Sequence, residues 1–199
     1  ILTSPAPPRT HSLGSTGAGS LQESDPVSKT SFSASSPQLS DEETYSAHMP
    51  EHLRCDACKA IAFQMQEYLA KAESKRPKGS EALSESEYMD VLENSCSQSW
   101  DKYGVKEVNG VKHFAGPGLK SQENLTVMMM GGPWPARLYK MCQDYLGEFG
   151  EEQLYEEYRR RPDALEGFLC YGRRRASKMC ADRPRAEGVN IWSEISDYE

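Results

Sequence analysis

Two cysteines with the spacing Cys-x-x-Cys, Cys55 and Cys58, have the residue type and spacing that most directly indicate chemistry. Residues three apart on a helix share one face, so the two thiols can bond to each other, bind a metal ion, or each pair with a distant cysteine. A thiolate at a helix N-terminus is stabilised by the helix dipole, which makes the pair a candidate redox centre. We favour structural pairing, because no strand precedes the motif as in thioredoxin-like proteins and all six cysteines can be used in bridges.

Two histidines, His48 and His52, extend the motif to the pattern His-x3-His-x2-Cys-x2-Cys. Histidine and cysteine are ligands that zinc prefers. The spacing is compressed, however, and an oxidising compartment would convert the thiols to disulfides. We therefore expect solvent-exposed histidines ahead of a helix, and neither a metal nor any other cofactor.

The chain has 199 residues, a formal charge of −7 and six cysteines, all between residues 55 and 180. An even number of widely spread cysteines predicts an oxidising compartment and a disulfide-bonded domain, although spacing alone does not decide the pairing.

A net acidic chain without a broad basic face argues against a nucleic-acid partner, and we interpret the three arginines at 173–175 as a solvated loop. Wholly apolar runs such as 127–130 are far too short to span a membrane.

The two ends of the chain differ in composition from the part that holds the cysteines. Residues 1–40 contain eleven serines, five prolines and almost no large apolar side chains. They cannot bury enough surface to offset the loss of chain entropy. We predict a disordered segment over residues 1–40, one disulfide-bonded helical domain over 41–180, and a polar tail over 181–199.

Apolar side chains recur at helical spacing in the first half of this domain. The first helix is predicted from Pro50 to a point before Pro77 and Gly79. The second is predicted from Ser84, since Glu87 three residues later completes a capping box. The predicted buried positions are Ile61, Ala62, Met65, Tyr68, Leu69 and Ala72 in the first helix, and Tyr88, Val91, Leu92, Cys96 and Trp100 in the second.

Two further helical segments follow in the second half. Pro133 and Pro135 precede the third helix, and we expect a bend near Gly147 and Gly150, because each glycine costs about 1 kcal/mol relative to alanine. Pro162 starts a short last helix. The apolar positions of this half are Leu138, Cys142, Tyr145, Phe149, Leu154, Tyr155, Tyr158, Leu165, Phe168, Leu169 and Cys170. The pattern predicts one compact all-α domain.

Asn109 and Gly110 lie between two β-branched runs and predict a β-hairpin, because both residue types accept a positive φ. Its strands would cover residues 105–108 and 111–114, and residues 127–130 are a candidate third strand. These strands would form a small insertion in a mainly helical domain.

The methionines of that candidate strand, Met128, Met129 and Met130, together with Trp134, are candidate client contacts. Thioethers repack readily around varied partners. The alternative, which we favour, is an inward-facing strand that packs the insertion. In the preceding predicted loop, Asn124 begins an Asn-Leu-Thr acceptor sequence for N-glycosylation.

No Ser-His-Asp order, phosphate-binding glycine loop or carboxylate pair at catalytic spacing stands out in the chain. The sequence gives no support to a hydrolase or a kinase. We expect the protein not to be an enzyme, with weak thiol–disulfide exchange through Cys55 and Cys58 as the alternative.

Three segments carry a resemblance to a known family: YSAHMPEHLRCDAC beginning at Tyr45, GGPWP at Gly131 and YLGEFGEEQLYE at Tyr145. They closely resemble the plasma-cell-induced, endoplasmic-reticulum-resident co-chaperones of B cells, which are similar to canopy and saposin-like proteins. The resemblance covers roughly residues 41–170. It implies a saposin-like helical fold with the nested bridges Cys55–Cys180, Cys58–Cys170 and Cys96–Cys142.

The resemblance also implies a function, namely assistance to the assembly and secretion of immunoglobulin, particularly IgM, alongside larger chaperones of the reticulum. Its alternatives are a thiol–disulfide oxidoreductase that uses Cys55 and Cys58, and a lipid-binding saposin-like module. We expect the protein in the lumen of the endoplasmic reticulum. Because the chain ends Ile-Ser-Asp-Tyr-Glu rather than in a KDEL-like signal, secretion is the alternative.

Overall fold

A computed structural model describes residues 36–77, 82–120, 127–172 and Cys180. These residues form six helices and a three-stranded sheet. The helices are α1 (Asp41–Tyr45), α2 (Glu51–Ser74), α3 (Glu85–Cys96), α4 (Trp134–Phe149), α5 (Glu151–Arg160) and α6 (Ala164–Tyr171), and the strands are β1 (Gly104–Val108), β2 (Val111–Ala115) and β3 (Met128–Met130).

The long helix α2 is the central element, since α3, α6, β2 and α4 all pack against it. It begins directly after Pro50 and ends at Ser74, three residues before Pro77, as the sequence predicts. Its inward face repeats at three and four residues. The fully buried side chains of α2 are Leu53, Ala57, Cys58, Ala60, Ile61, Ala62, Met65 and Leu69.

Helix α3 begins with the predicted capping box. The backbone N–H of Ser84 donates to Glu87 Oε2 at 2.7 Å, and the Ser84 hydroxyl donates to the same oxygen at 2.8 Å. The helix ends at Cys96, so the prediction that Trp100 continues its apolar face is wrong. Trp100 is buried nonetheless, because the chain turns back and the indole Nε1 donates to the Cys96 carbonyl at 3.0 Å.

The predicted hairpin is present and is part of a three-stranded antiparallel sheet with the order β2-β1-β3. Asn109 and Gly110 form its turn with φ angles of 53° and 76°, the positive values that a two-residue hairpin turn requires. Gly104 pairs with Met130, and a Cβ at Gly104 would collide with the backbone of Met129. Glycine at this position therefore allows β3 to approach β1.

Helices α4 and α5 are separated at Gly150, which adopts a φ of 77°. The bend predicted near Gly147 and Gly150 is thus a break between two helices at the second glycine. The last helix, α6, starts two residues after Pro162 and places Cys170 inside the core.

Three disulfides join the helices: Cys55–Cys180, Cys58–Cys170 and Cys96–Cys142, with Cα–Cα distances of 4.9, 5.8 and 5.4 Å. They are the bridges that the family resemblance implies. Each encloses the next in sequence, with separations of 125, 112 and 46 residues. The prediction of a mainly helical domain with nested disulfides and a small β insertion is confirmed.

Some predictions concern residues that lie outside the described ones: the disordered segment up to residue 35, the glycosylation acceptor Asn124, the arginines at 173–175 and the polar tail over 181–199. Residues 36–40 are described. Pro37 is buried and Leu39 packs against the core, so the packed part of the chain already includes Pro37. None of the described helices is long and apolar enough to cross a bilayer.

The nesting of the bridges leads to a testable order of stability. With Cys55–Cys180 intact, Cys58 and Cys170 are already held close together, so removing their bridge by Cys58→Ala/Cys170→Ala should cost only about 3 kcal/mol of unfolding free energy. The Cys96→Ala/Cys142→Ala variant should cost about 4 kcal/mol, because a longer stretch of chain is released. Urea unfolding of both variants measures the difference. A clearly larger loss for the Cys58–Cys170 bridge would contradict the nested arrangement.

Candidate functional site

The start of α2 carries the Cys-x-x-Cys motif, and its two sulfurs belong to different bridges. Cys55 is bonded to Cys180 and Cys58 to Cys170, and both are buried. No cysteine among the described residues has a free thiol. In this state the motif has neither an attacking thiolate nor an internal disulfide, and the zinc pattern with His48 and His52 has no thiolate ligands.

The residue after Cys55 attaches the sheet to α2. Asp56 Oδ2 accepts a hydrogen bond from the backbone N–H of Phe114 at 3.3 Å and lies 3.3 Å from His113 Nδ1. One carboxylate inside the Cys-x-x-Cys motif thereby positions β2 beside the two disulfides. Sequence reasoning missed this role. The available signal was a charged residue between two cysteines predicted to face inward.

We call residues 36–50, which include α1, the N-terminal strap. Its central anchor is Glu43, which is only 3 % exposed although it lies in an otherwise exposed acidic stretch. Glu43 Oε2 accepts from Lys112 Nζ at 2.5 Å and from the Ser40 backbone N–H at 2.7 Å. Glu43 Oε1 lies 3.1 Å from His52 Nε2. The strap is therefore tied to β2 by an ion pair and to α2 by the contact between Glu43 and His52.

A second anchor joins the strap to α4. Arg137, which is buried, donates from Nε and Nη2 to the Ser46 carbonyl, at 3.0 Å for the Nε contact. The same guanidinium lies 5.0 Å from the centre of the Trp134 ring, a cation–π contact. Phe114 meets Trp134 edge to face with ring centres 5.6 Å apart. Arg137 thus couples the strap to an aromatic pair between the sheet and α4.

The charge state of Glu43 follows from these contacts. Burial alone would raise its pKa, but the hydrogen bond from Lys112, hydrogen bonds from Ser40 and the attraction of the Lys112 charge together lower the pKa from 4.5 to about 2. Glu43 is therefore ionised at every physiological pH, and the strap keeps its anchor.

The methionines proposed as contacts lie on the edge strand β3. Met128 and Met129 are half-buried and Met130 is 46 % exposed, so the strand faces the core only in part. The inward-facing interpretation that we favoured therefore does not describe Met130. Trp134 is completely buried, because Phe114 and Arg137 pack against it. In this conformation Trp134 cannot be a client contact.

An open groove of about 720 Å³ runs between α2 and the segment that leads into β1. Tyr103 lies on its wall, where its hydroxyl accepts from Gln64 at 2.7 Å and donates to the Pro117 carbonyl at 2.9 Å. Burial raises the pKa of Tyr103 to about 12, so the phenol stays neutral. The groove lining has no nucleophile paired with a base and oriented by a third group.

These features define a class: a helical domain closed by nested disulfides, with a small sheet docked on its cysteine-bearing helix and an apolar edge strand at its surface. The chain belongs to the family of marginal zone B- and B1-cell-specific proteins. The Mus musculus protein is 57% identical over 150 residues, 72% of this chain and 80% of the relative. The Homo sapiens protein is 54% identical over 147 residues (71% and 78%), and the Bos taurus protein 50% over 163 residues (79% and 86%). No family model matches the chain.

The Glu43 anchor gives a pH-dependent prediction. The folded-state pKa is lower than the ordinary 4.5, so the anchor stabilises the fold above pH 4.5 and its contribution is lost as the pH falls towards 2. Glu43→Gln should lower the unfolding free energy at pH 7 by on the order of 1–3 kcal/mol and flatten the loss between pH 4.5 and 2. Urea unfolding across this pH range measures both effects.

The matched control is Glu42→Gln, which removes one carboxylate from the exposed face of α1. It should leave the stability profile close to that of the parent chain. Equal effects of the two substitutions would show that the general acidity of α1, and not the buried anchor, sets the pH dependence.

Proposed function

We propose that this protein is an endoplasmic-reticulum co-chaperone that assists the assembly and secretion of immunoglobulin chains, IgM in particular, in B cells. The relatives are named for marginal zone B and B1 cells, which supports a role in the same cells. The observation that carries the co-chaperone proposal is the exposed apolar edge strand on a domain with no assembled catalytic group among its described residues.

The cysteines support the proposed compartment. All six are used in three bridges that join distant parts of the chain. Such bridges form and persist in oxidising compartments and are rare in the cytosol. The lumen of the endoplasmic reticulum, where immunoglobulin chains acquire their own disulfides, is the compartment that fits. Larger chaperones of that lumen are the proposed partners, together with the immunoglobulin chains.

The β3 edge supplies a surface suited to an unassembled chain. Among the described strands, β3 pairs only with β1 and lies at the edge of the sheet. Met130 reaches the surface, and Val127, the residue before β3, is 40 % exposed. Methionine adapts its shape to irregular apolar partners. An edge strand also presents backbone N–H and C=O groups to an extended segment. Contact with a client at this edge requires no chemical step.

The two alternative functions each require a rearrangement of the described fold. An oxidoreductase needs Cys55 and Cys58 as a free pair, so both of their bridges to the C-terminal part would have to be reduced. A lipid-binding module would have to expose the apolar face of α2, whose side chains are fully buried and held by the same bridges. The co-chaperone function needs neither change.

Met130→Glu tests the proposal, because it places a charge on the edge strand without emptying the core. We expect the variant to keep its melting temperature within a few degrees while it loses most binding to unassembled IgM heavy chains and most of its support of IgM secretion. Co-precipitation and secreted polymeric IgM, measured in B cells that lack the parental protein, give the readout. The matched control is Val111→Glu, at a side chain that is 50 % exposed on β2.

Equal loss with both variants would show that surface charge in general, and not β3, governs client binding. No loss with Met130→Glu would remove the edge strand from the proposal. The oxidoreductase alternative would be supported if a folded Cys55→Ser protein with an unchanged melting temperature lost thiol–disulfide exchange and client assembly together.

A further inference from the structure

Ser40 is exposed and lies at the start of the acidic sequence Ser-Asp-Glu-Glu. Its hydroxyl is a group that can be modified and that the proposed function does not use. We propose that Ser40 is a phosphorylation site for an acid-directed serine kinase that recognises a glutamate two residues after the serine, and that the phosphate loosens the N-terminal strap. This inference does not depend on the co-chaperone proposal.

The structure decides which acidic residue a kinase can recognise. Asp41 and Glu42 are exposed, whereas Glu43, three residues after Ser40, is buried against Lys112. The backbone at Ser40 is extended, with φ −73° and ψ 168°. A kinase that binds the folded chain therefore reaches Glu42 but not Glu43. A kinase that requires the acid three residues after the serine should not accept this site.

Ser84 offers an internal comparison with the opposite arrangement. It is also exposed and begins a helix with a capping box, but the residue two positions later is Ser86 and the residue three positions later is the exposed Glu87. A kinase that recognises a glutamate two residues after the serine should modify Ser40 and not Ser84. A kinase that recognises a glutamate three residues after the serine should modify Ser84 and not Ser40.

The chemical step is phosphoryl transfer from a nucleoside triphosphate. The Ser40 Oγ attacks the terminal phosphorus and forms an O–P bond, while the bond from that phosphorus to the bridging oxygen of the diphosphate breaks. The hydroxyl proton passes to a carboxylate of the kinase. The products are phosphoserine and a nucleoside diphosphate, with no change of oxidation state.

The effect on the strap follows from the position of Ser40 beside the Glu43 anchor. The Ser40 Oγ accepts from the Glu43 backbone N–H at 3.2 Å, and the Ser40 N–H donates to the Glu43 carboxylate at 2.7 Å. A phosphate on this oxygen adds close to two negative charges next to a carboxylate that is already ionised. The repulsion between the phosphate and the Glu43 carboxylate weakens the contact between the strap and β2.

The experiment treats the full oxidised chain with ATP and a purified serine kinase that requires glutamate at the second position, followed by peptide mapping. We expect phosphate on Ser40, at least ten times less on Ser84, and loss of this phosphate in Ser40→Ala and in Glu42→Gln. Asp41→Asn is the matched control and should keep most of the modification. Ser121, which also has a glutamate two residues later, lies outside the described residues and is counted separately.

The phosphorylated chain should melt roughly 2–4 °C lower than the untreated chain, and limited proteolysis should cut residues 36–50 faster. The Ser40→Ala chain taken through the same treatment controls for phosphate elsewhere. An unmodified Ser40, or stronger modification of Ser84, would overturn the proposed site. A phosphorylated Ser40 with unchanged melting and proteolysis would overturn the proposed effect on the strap.

Discussion

The attachment of one helix end to the C-terminal part of the chain is the constraint on which the remaining structure depends. Cys55 and Cys58 fix the start of α2 to Cys180 and Cys170, residues that are 125 and 112 positions away. The chain between them must leave α2 and return to it, and the intervening elements pack along that path. Asp56, between the two cysteines, adds the sheet to the same point.

Around this junction the polar contacts are concentrated where the strap meets β2, α2 and α4. Glu43, Lys112 and His52 tie the strap to β2 and α2, and Arg137 ties it to α4. A buried ion pair stabilises a fold less than its charges suggest, because both partners lose their hydration. Removing one partner is nevertheless costly, because the other charge is left buried and unpaired. These contacts affect the position of the strap more than they affect the free energy of unfolding of the whole domain. The apolar core and the bridges provide most of the stability.

Much of the fold was predictable because it depends on local patterns. The apolar spacing of α2, the Ser84–Glu87 capping box and the Asn109–Gly110 turn each act within a few residues, and all three are present. The site was less predictable, because Glu43 meets Lys112 across 69 positions and Trp134 is buried by Phe114 and Arg137. No short-range pattern distinguishes a buried glutamate in Asp-Glu-Glu from its exposed neighbours. Position in the fold decides which one is the anchor.

The order of the cysteines along the chain has a consequence for biosynthesis. Ribosomes add about 5–20 residues per second, so Cys55 and Cys58 are made on the order of ten seconds before Cys170 and Cys180. During that interval Cys55 and Cys58 have no native partner, and each is the other's nearest thiol. Cys96–Cys142 is the first bridge for which both cysteines have been made. The two bridges that hold the start of α2 to the C-terminal part of the domain therefore cannot form until Cys170 and Cys180 have been made.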